Sequence, residues 1–168
     1  MARSVNLRPL GFDDCLAVRG LHLSVAAIEG SGLARAPDEI TTDYVDAIVR
    51  RGLAGGVIIG AFDGGKLIGE IHAARLGPRQ FAHVLTDLTV AVHHDAQGRG
   101  VGTMLFQALF AAARTLGATR IELVARSGNQ AAIALYERLG FRREGCFTGR
   151  VRLHDGRVED DIPMALTL

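Results

Sequence analysis

Apolar positions change their period several times along the chain, and each change marks an element. Residues 5–10 alternate weakly and stop at Pro9-Leu10-Gly11, which predicts a short first strand. Asp13 or Asp14 then caps a helix reaching about His22, with Leu16, Leu21 and Leu23 among its apolar positions. Residues 29–37 are glycine-rich and predict a loop. Thr41-Thr42-Asp43 precedes Tyr44-Val45 and Ile48-Val49, the pattern of a capped amphipathic helix ending near Gly52. Residues 56–62 are an apolar, β-branched run; Asp63-Gly64-Gly65 follows, and residues 66–76 form a second run. Asp-Gly or Gly-Gly between two such runs signals a hairpin. Residues 83–92, rich in Val, Leu and Thr, add a third strand.

The second half alternates strand with helix. A polar, glycine-rich turn from His93 to Gly102 opens a helix over residues 101–116, where Met104, Leu105, Leu109 and Ala112 repeat at helical spacing and Gly117 stops the run. Residues 120–126 read as a strand. Asn129 caps a helix over residues 130–139, and Gly140 ends it. Residues 141–168 hold two strands about the turn His154-Asp155-Gly156-Arg157. Antiparallel hairpins first and β-α-β-α-β later make a mixed α/β domain. No linker or shift in composition divides it, so residues 1–168 read as one domain.

Composition narrows the function classes. Lys and Arg number 19 against 18 Asp and Glu, and a net charge of +1 gives no electrostatic reason to expect nucleic acid or an anionic membrane as partner. Cys15 and Cys146 are too few for a disulfide framework or a four-cysteine metal site, and read as free thiols of a reducing compartment. The stretch from Met1 to Arg8 lacks the apolar run of a signal peptide. The most apolar segments, residues 55–62 and 104–113, fall short of a membrane span. A cytoplasmic protein is expected. Glycine alone departs from the average, at 21 of 168 residues against a usual ~7%, so glycine positions carry information.

The most informative of them lie in Gln97-Gly98-Arg99-Gly100-Val101-Gly102-Thr103, where a strand runs through a turn into a long helix. The first N–H groups of a helix lack intrahelical partners and the dipole there favours negative charge, so bare glycines make a phosphate site. A Walker loop needs a Lys before Thr103, which is absent, and a dinucleotide fingerprint needs G-x-G-x-x-G, where this chain has G-x-G-x-G. A tight turn without a ligand is the plain alternative. Further on, Asn129 and Tyr136 stand seven residues apart, two turns along one helix face. By themselves they read as a cap and a packing residue.

Together the two segments resemble the GNAT superfamily of N-acetyltransferases, in element order over most of the chain and specifically at Gln97 to Gly102 and at Asn129 through Tyr136 to Gly140-Phe141. The ending, Glu144-Gly145, Arg152, Asp155-Gly156, Asp160 and Met164-Ala165-Leu166, is similar to a subgroup containing amino-acid and protein N-terminal acetyltransferases. The resemblance implies a GNAT fold, a mostly antiparallel mixed sheet whose parallel pair, the strands ending at Val92 and spanning residues 121–125, splays to admit acetyl-CoA. It implies that the backbone of Val90, Ala91 and Val92 pairs with the pantetheine arm. Amides from Gly98 to Thr103, following Gln97, would hold the pyrophosphate, through Arg99, Gly100, Val101 and Gly102. Asn129 would contact the arm, and Tyr136 would give a proton to the departing thiolate. The partner implied is a small-molecule amine, with a protein N-terminal or lysine amine, or an acyl-CoA sensor without turnover, as alternatives. Homodimers are common among similar enzymes.

The chemistry fits direct attack of an amine on the thioester. A thiol has a reference pKa of about 8.5 and a Tyr about 10, so Tyr136 is protonated at neutral pH and able to donate. Freeing a lysine amine at pH 7 costs about 4.6 kcal/mol, an α-amine only about 1–1.4 kcal/mol. Asp87, on the strand before the turn, is the candidate base, or else a paired surface carboxylate. Glu122 sits on the partner strand, and Glu70 and His72 on the second hairpin strand are candidates to line the acceptor side, a His there being otherwise a structural residue. Some family members carry a catalytic acid five residues before the Asn; here that position is Val124. No metal is expected: His93-His94-Asp95 reads as a solvated loop without a third ligand at suitable spacing, and Arg150, Arg152, Arg157 and Asp160-Asp161 as a charged hairpin face. Phe12, Tyr44 and Phe147 are candidate apolar walls of an acceptor pocket, with Arg35 in the loop to pair a carboxylate.

Overall fold

The protein is described by a computed structural model covering residues 4–168; Met1, Ala2 and Arg3, part of the N-terminal stretch read above, lie outside the described residues. Strand β1 (Asn6–Pro9) leads to helices α1 (Cys15–Ala26) and α2 (Thr42–Leu53), then β2 (Val57–Asp63), β3 (Lys66–Arg75) and β4 (Val84–Val92). Helix α3 (Val101–Thr115), β5 (Arg120–Arg126), α4 (Gln130–Arg138), β6 (Arg142–Arg143), β7 (Phe147–Arg152) and β8 (Val158–Thr167) follow. The sheet runs β1-β2-β3-β4-β5-β8-β6, with β7 paired to β8. Among the described residues no helix is long and apolar enough to cross a membrane.

Local chemistry explains the elements that frame the site. Thr41 Oγ accepts from the Tyr44 N–H at 3.1 Å and starts α2, whose Val45, Ile48 and Val49 are buried. The β2–β3 turn places Gly64 and Gly65 at φ +57° and +87°, the two left-handed positions of a tight hairpin. One core packs α3 and α4 on one face of the sheet, around Leu105, Phe106, Leu109 and Ile133. A second packs α1 and α2 on the other, around Val18, Val45 and Val49.

Three expectations are corrected. Helix α1 does not end near His22 but continues to Ala26, because Val18, Leu21, His22 and Val25 form one buried face. Asp14 stands at the N-cap of that helix, but its side chain makes no cap bond there; its carboxylate accepts from Arg8 at 2.7 Å and from the Gly11 N–H at 2.9 Å. The C-terminal segment forms three strands rather than two, since Arg142 and Arg143 pair with Ala165 and Met164 of β8.

The pair β4–β5 is the only parallel one among the described strands, and it is brief. Val84 faces Arg120 and Leu85 faces Ile121; beyond them the strands part. The cause lies on the other edge of β4. Opposite β3 the ladder slips between His72 and Ala74: His72 pairs with Thr89 and Ala74 with Thr86, so β4 carries one extra residue. Asp87 within that bulge has φ +51°, the only positive φ among the described non-glycine residues. A bulge bends its strand and sharpens its twist, and here it turns the end of β4 away from β5.

Candidate active site

The gap between the parting strands widens into a cleft of about 630 Å³. Thr86 to Val90 of β4 and Glu122 to Val124 of β5 form its sides, and His22, Tyr44, Ile48 and His72 lie on the face of α1 and α2. Tyr136 of α4 reaches it from the other face of the sheet. A second cleft of about 560 Å³ adjoins, bounded by the 28–37 loop, Asn129 and the β7–β8 turn; Tyr136, Val124 and the loop from Gly32 to Arg35 line both. The 29–37 segment is a loop as expected, with one 3₁₀ turn at Pro37–Glu39. Arg126 fixes it by donating to the Leu33 carbonyl at 3.0 Å.

Tyr136 is positioned by packing. Its ring meets Phe106 and Phe141 edge-on, with centroids 5.6 and 6.0 Å apart. Burial alone pushes its hydroxyl above the ordinary value, so it carries its proton at neutral pH.

The glycine turn is open. Gly98 and Gly100 have φ +72° and +77°, and a Cβ at either would meet nothing within 4 Å. Gly100 is the N-cap of α3, and no side chain caps that end. The backbone at Gly98 and Gly100 is therefore clear of neighbouring side chains, as the close approach of an anion requires. Neighbouring side chains are turned aside: Arg99 pairs with Asp63 at 2.8 Å, and Gln97 Nε2 lies 3.5 Å from the Val92 carbonyl. Asn129 does what a cap does, its Oδ1 accepting from Ala132 N–H at 3.2 Å, while its Nδ2 lies against Gly32 of the loop.

Carboxylates of the cleft are all held by arginines. Asp87 is exposed and paired with Arg51. Glu122 accepts from Arg120 at 2.7 Å, and Glu144 from the same guanidinium, which holds the Glu144 carboxyl below its usual range. Val124 is 48% exposed, an apolar wall. Arg35 stacks its guanidinium 4.4 Å above the Tyr44 ring and reaches Glu39 only at 3.9 Å.

Phe12 is not a wall of either cleft; it is half exposed beside Arg50. Tyr44 and Phe147 do line the larger one. His93 is not a solvated loop residue: its ring is largely buried, stacks on His94 at 4.2 Å and accepts from the Asp95 N–H, and burial, then His94, lowers its pKa. The charged hairpin is locally paired, Arg157 with Asp155 at 2.6 Å and Arg150 with Asp161 at 3.7 Å.

Sequence reasoning did not find one arrangement. Glu70 of β3 is fully buried, and its two oxygens accept from His22 Nε2 and His72 Nδ1, each at 2.9 Å. His22 lies 48 residues from Glu70 on α1, and only the burial of an unexpected polar residue on a helix face could have signalled it.

Comparison with known proteins places this geometry in context. A family model described as the acetyltransferase (GNAT) family matches residues 28–141. An L-methionine sulfoximine/L-methionine sulfone acetyltransferase of Pseudomonas paraeruginosa is 30% identical over 102 residues, 61% of this chain and 58% of that protein. A [ribosomal protein bS18]-alanine N-acetyltransferase of Salmonella typhimurium is 40% identical over 83 residues, 49% of this chain and 55% of that protein. The match thus spans little more than half the length of these relatives. Among solved structures, an acetyltransferase of the GNAT family from Streptococcus pneumoniae superposes with a TM-score of 0.87 at 19% identity, covering 98% of this chain and 100% of that one. A Salmonella typhimurium structure containing its cofactor acetyl-CoA gives 0.85 at 23% identity, covering 98% and 94%.

Proposed function

Because the chain belongs to the GNAT family of acetyltransferases, we propose that it transfers the acetyl group of acetyl-CoA to a primary amine, the acceptor being a small molecule that carries a carboxylate, such as an amino acid. One observation carries the cofactor half of this reading: the open amide cradle from Gly98 to Thr103 at the head of α3, continuous with a strand that parts from its neighbour. The residues present fit a diphosphate-linked thioester. The amides of Gly98 to Thr103 would hold the pyrophosphate, and the unpaired edge of Val90, Ala91 and Val92 the pantetheine arm. Asn129 would contact the arm. When bound, acetyl-CoA supplies an activated acyl group; the protein orients it, excludes water and supplies protons. Tyr136, protonated in its aromatic packing, would donate to the leaving sulfur. Asp87, paired with Arg51 at the wall of the cleft, would hold the acceptor's amine or a water bound to it.

Arg35 supports a small acceptor with a carboxylate. Its guanidinium is oriented by Tyr44 and weakly engaged by Glu39, so it can accept a new anionic partner inside the cleft. The named substrates of the Pseudomonas relative are of this class. A second reading, the α-amine of a protein, is favoured by the Salmonella relative. The two free thiols accord with a cytoplasmic location. A thiol-release screen with acetyl-CoA tests the reading against amino acids including L-methionine sulfone, polyamines, aminoglycosides and peptides beginning with Ala. Turnover is expected with the amino acids. Turnover of the peptides alone establishes the second reading instead. Calorimetry with CoA and ATP tests the cradle, and tighter ATP binding than CoA binding overturns the assignment.

A further inference from the structure

We propose that His72 is the group that removes the proton from the attacking amine, held in the required tautomer by the buried carboxylate of Glu70, which His22 holds in turn. The inference rests on the acetyltransferase reading and deepens it.

The argument starts from Glu70. Burial alone would push its carboxyl up, but the imidazoles of His72 and His22 outweigh burial and hold it well below the usual range. An ionised carboxylate only accepts hydrogen bonds. Its oxygens therefore take N–H donors from both rings: His22 gives its Nε2 proton, and His72 gives its Nδ1 proton. A neutral imidazole with its proton on Nδ1 has its lone pair on Nε2. His72 lines the cleft and its side chain is 12% exposed, so the second nitrogen is the one left for the acceptor. The three side chains lie close enough to be considered as cation ligands, but both oxygens of Glu70 are already engaged by the two rings.

The other groups around the cleft are otherwise engaged. From β4, Asp87 is paired with Arg51 of α2. From β5, Glu122 shares Arg120 with Glu144. Tyr44 of α2 stacks under Arg35, and its hydroxyl, like that of Tyr136 on α4, is pushed up by burial and stays protonated. His72 is also well placed in the sheet. It pairs with Thr89, one residue before the Val90–Val92 edge and directly beside the bulge that opens the gap.

In the step assigned here the acceptor, its ammonium proton already lost to cleft water, bonds through its neutral amine nitrogen to the acyl carbon as the carbon–sulfur bond breaks. One amine proton passes to His72 Nε2, and the Tyr136 hydroxyl proton passes to sulfur. The imidazolium then returns a proton to the tyrosinate through cleft water, restoring both groups. Glu70 and His22 are positioning residues, acting only through His72.

Two measurements on the full chain test this, the first without any acceptor. Ring nitrogen NMR at neutral pH, with His72→Gln identifying the signals, is expected to show a protonated Nδ1 and a bare Nε2. The opposite tautomer, or a tightly retained metal on these rings, overturns the proposal. The second measurement follows turnover of acetyl-CoA with L-methionine sulfone or an Ala-initiated peptide against pH. In His72→Gln kcat is expected to fall about 10²-fold, the acid limb of the rate profile to vanish, and added imidazole to restore part of the rate, with KM for acetyl-CoA unchanged. Asp87→Asn is expected to keep the limb whatever its rate. A limb kept in His72→Gln and lost in Asp87→Asn overturns the proposal. A wild type inactive with every amine of the screen overturns the acetyltransferase reading instead, and the NMR result still decides the tautomer.

Discussion

Tyr136 and Glu70 show burial acting alone in one case and overruled by neighbouring imidazoles in the other. The Tyr136 hydroxyl reaches the cleft from a ring packed on Phe106 and Phe141, and burial makes it a weaker acid. Replacing it with Phe preserves the packing and removes only the donor. Tyr136→Phe should therefore lower kcat about 10²-fold while leaving the acetyl-CoA Kd and the melting temperature nearly unchanged. Unchanged turnover would remove the hydroxyl from the reaction. Glu70 gives a pH signature of the opposite kind. Its carboxyl is depressed in the folded chain from an ordinary 4.5 to about 2, so its ionised form stabilises the fold above pH 4.5, and that contribution fades as the pH falls toward about 2. Thermal melts of Glu70→Gln should lie below wild type at pH 7, with the gap closing across that window. A gap that is constant with pH would mean the amide costs only packing. The proposed role of Tyr136 came from the family resemblance, but its place on the helix that Asn129 caps was legible. The partnership of Glu70 with His22 was not, because nothing local links a strand to a helix 48 residues earlier.

Elements whose ends carry their own chemistry were read most accurately. The Thr41 cap, the double-glycine hairpin and the Asn129 cap all appear where their residues stand. The end of α1 was misplaced because the buried face continues past His22, itself a buried polar residue, to Val25. Strand β6 was missed because two arginines carry no apolar alternation, and tertiary pairing with β8 alone makes them a strand. The glycine turn yields a prediction at this scale. A side chain at Gly100 finds free space but a left-handed backbone, so Gly100→Val costs about 1–3 kcal/mol in strain and fills the anion cradle. Acetyl-CoA affinity should fall at least tenfold by calorimetry. Gly64→Ala, with the same backbone sign at a hairpin away from either cleft, should bind normally; equal losses would mean that strain, not blockage, is responsible. Asn129→Ala should lower stability by about 1 kcal/mol, read as a melting temperature about 2–4 °C lower, through loss of the α4 cap.

Across the molecule, the order of elements was legible and the bulge was not. The Val, Leu and Thr of residues 83–92 predict a strand, but they do not say that Asp87 adopts φ +51° or that β4 outruns β3 by one residue. That single extra residue bends β4 away from β5 and opens the sheet where the two cores would otherwise meet. The gap is therefore reached from two directions, by Tyr136 on one face and by Tyr44, His22 and His72 on the other. Neither cysteine lines it. A thoroughfare of this kind lets both reactants be resident at once and offers no sulfur to carry the acyl group between them. Double-reciprocal plots at varied concentrations of both reactants should then converge to a common point; parallel lines would require an acylated protein that this interior has no thiol to form.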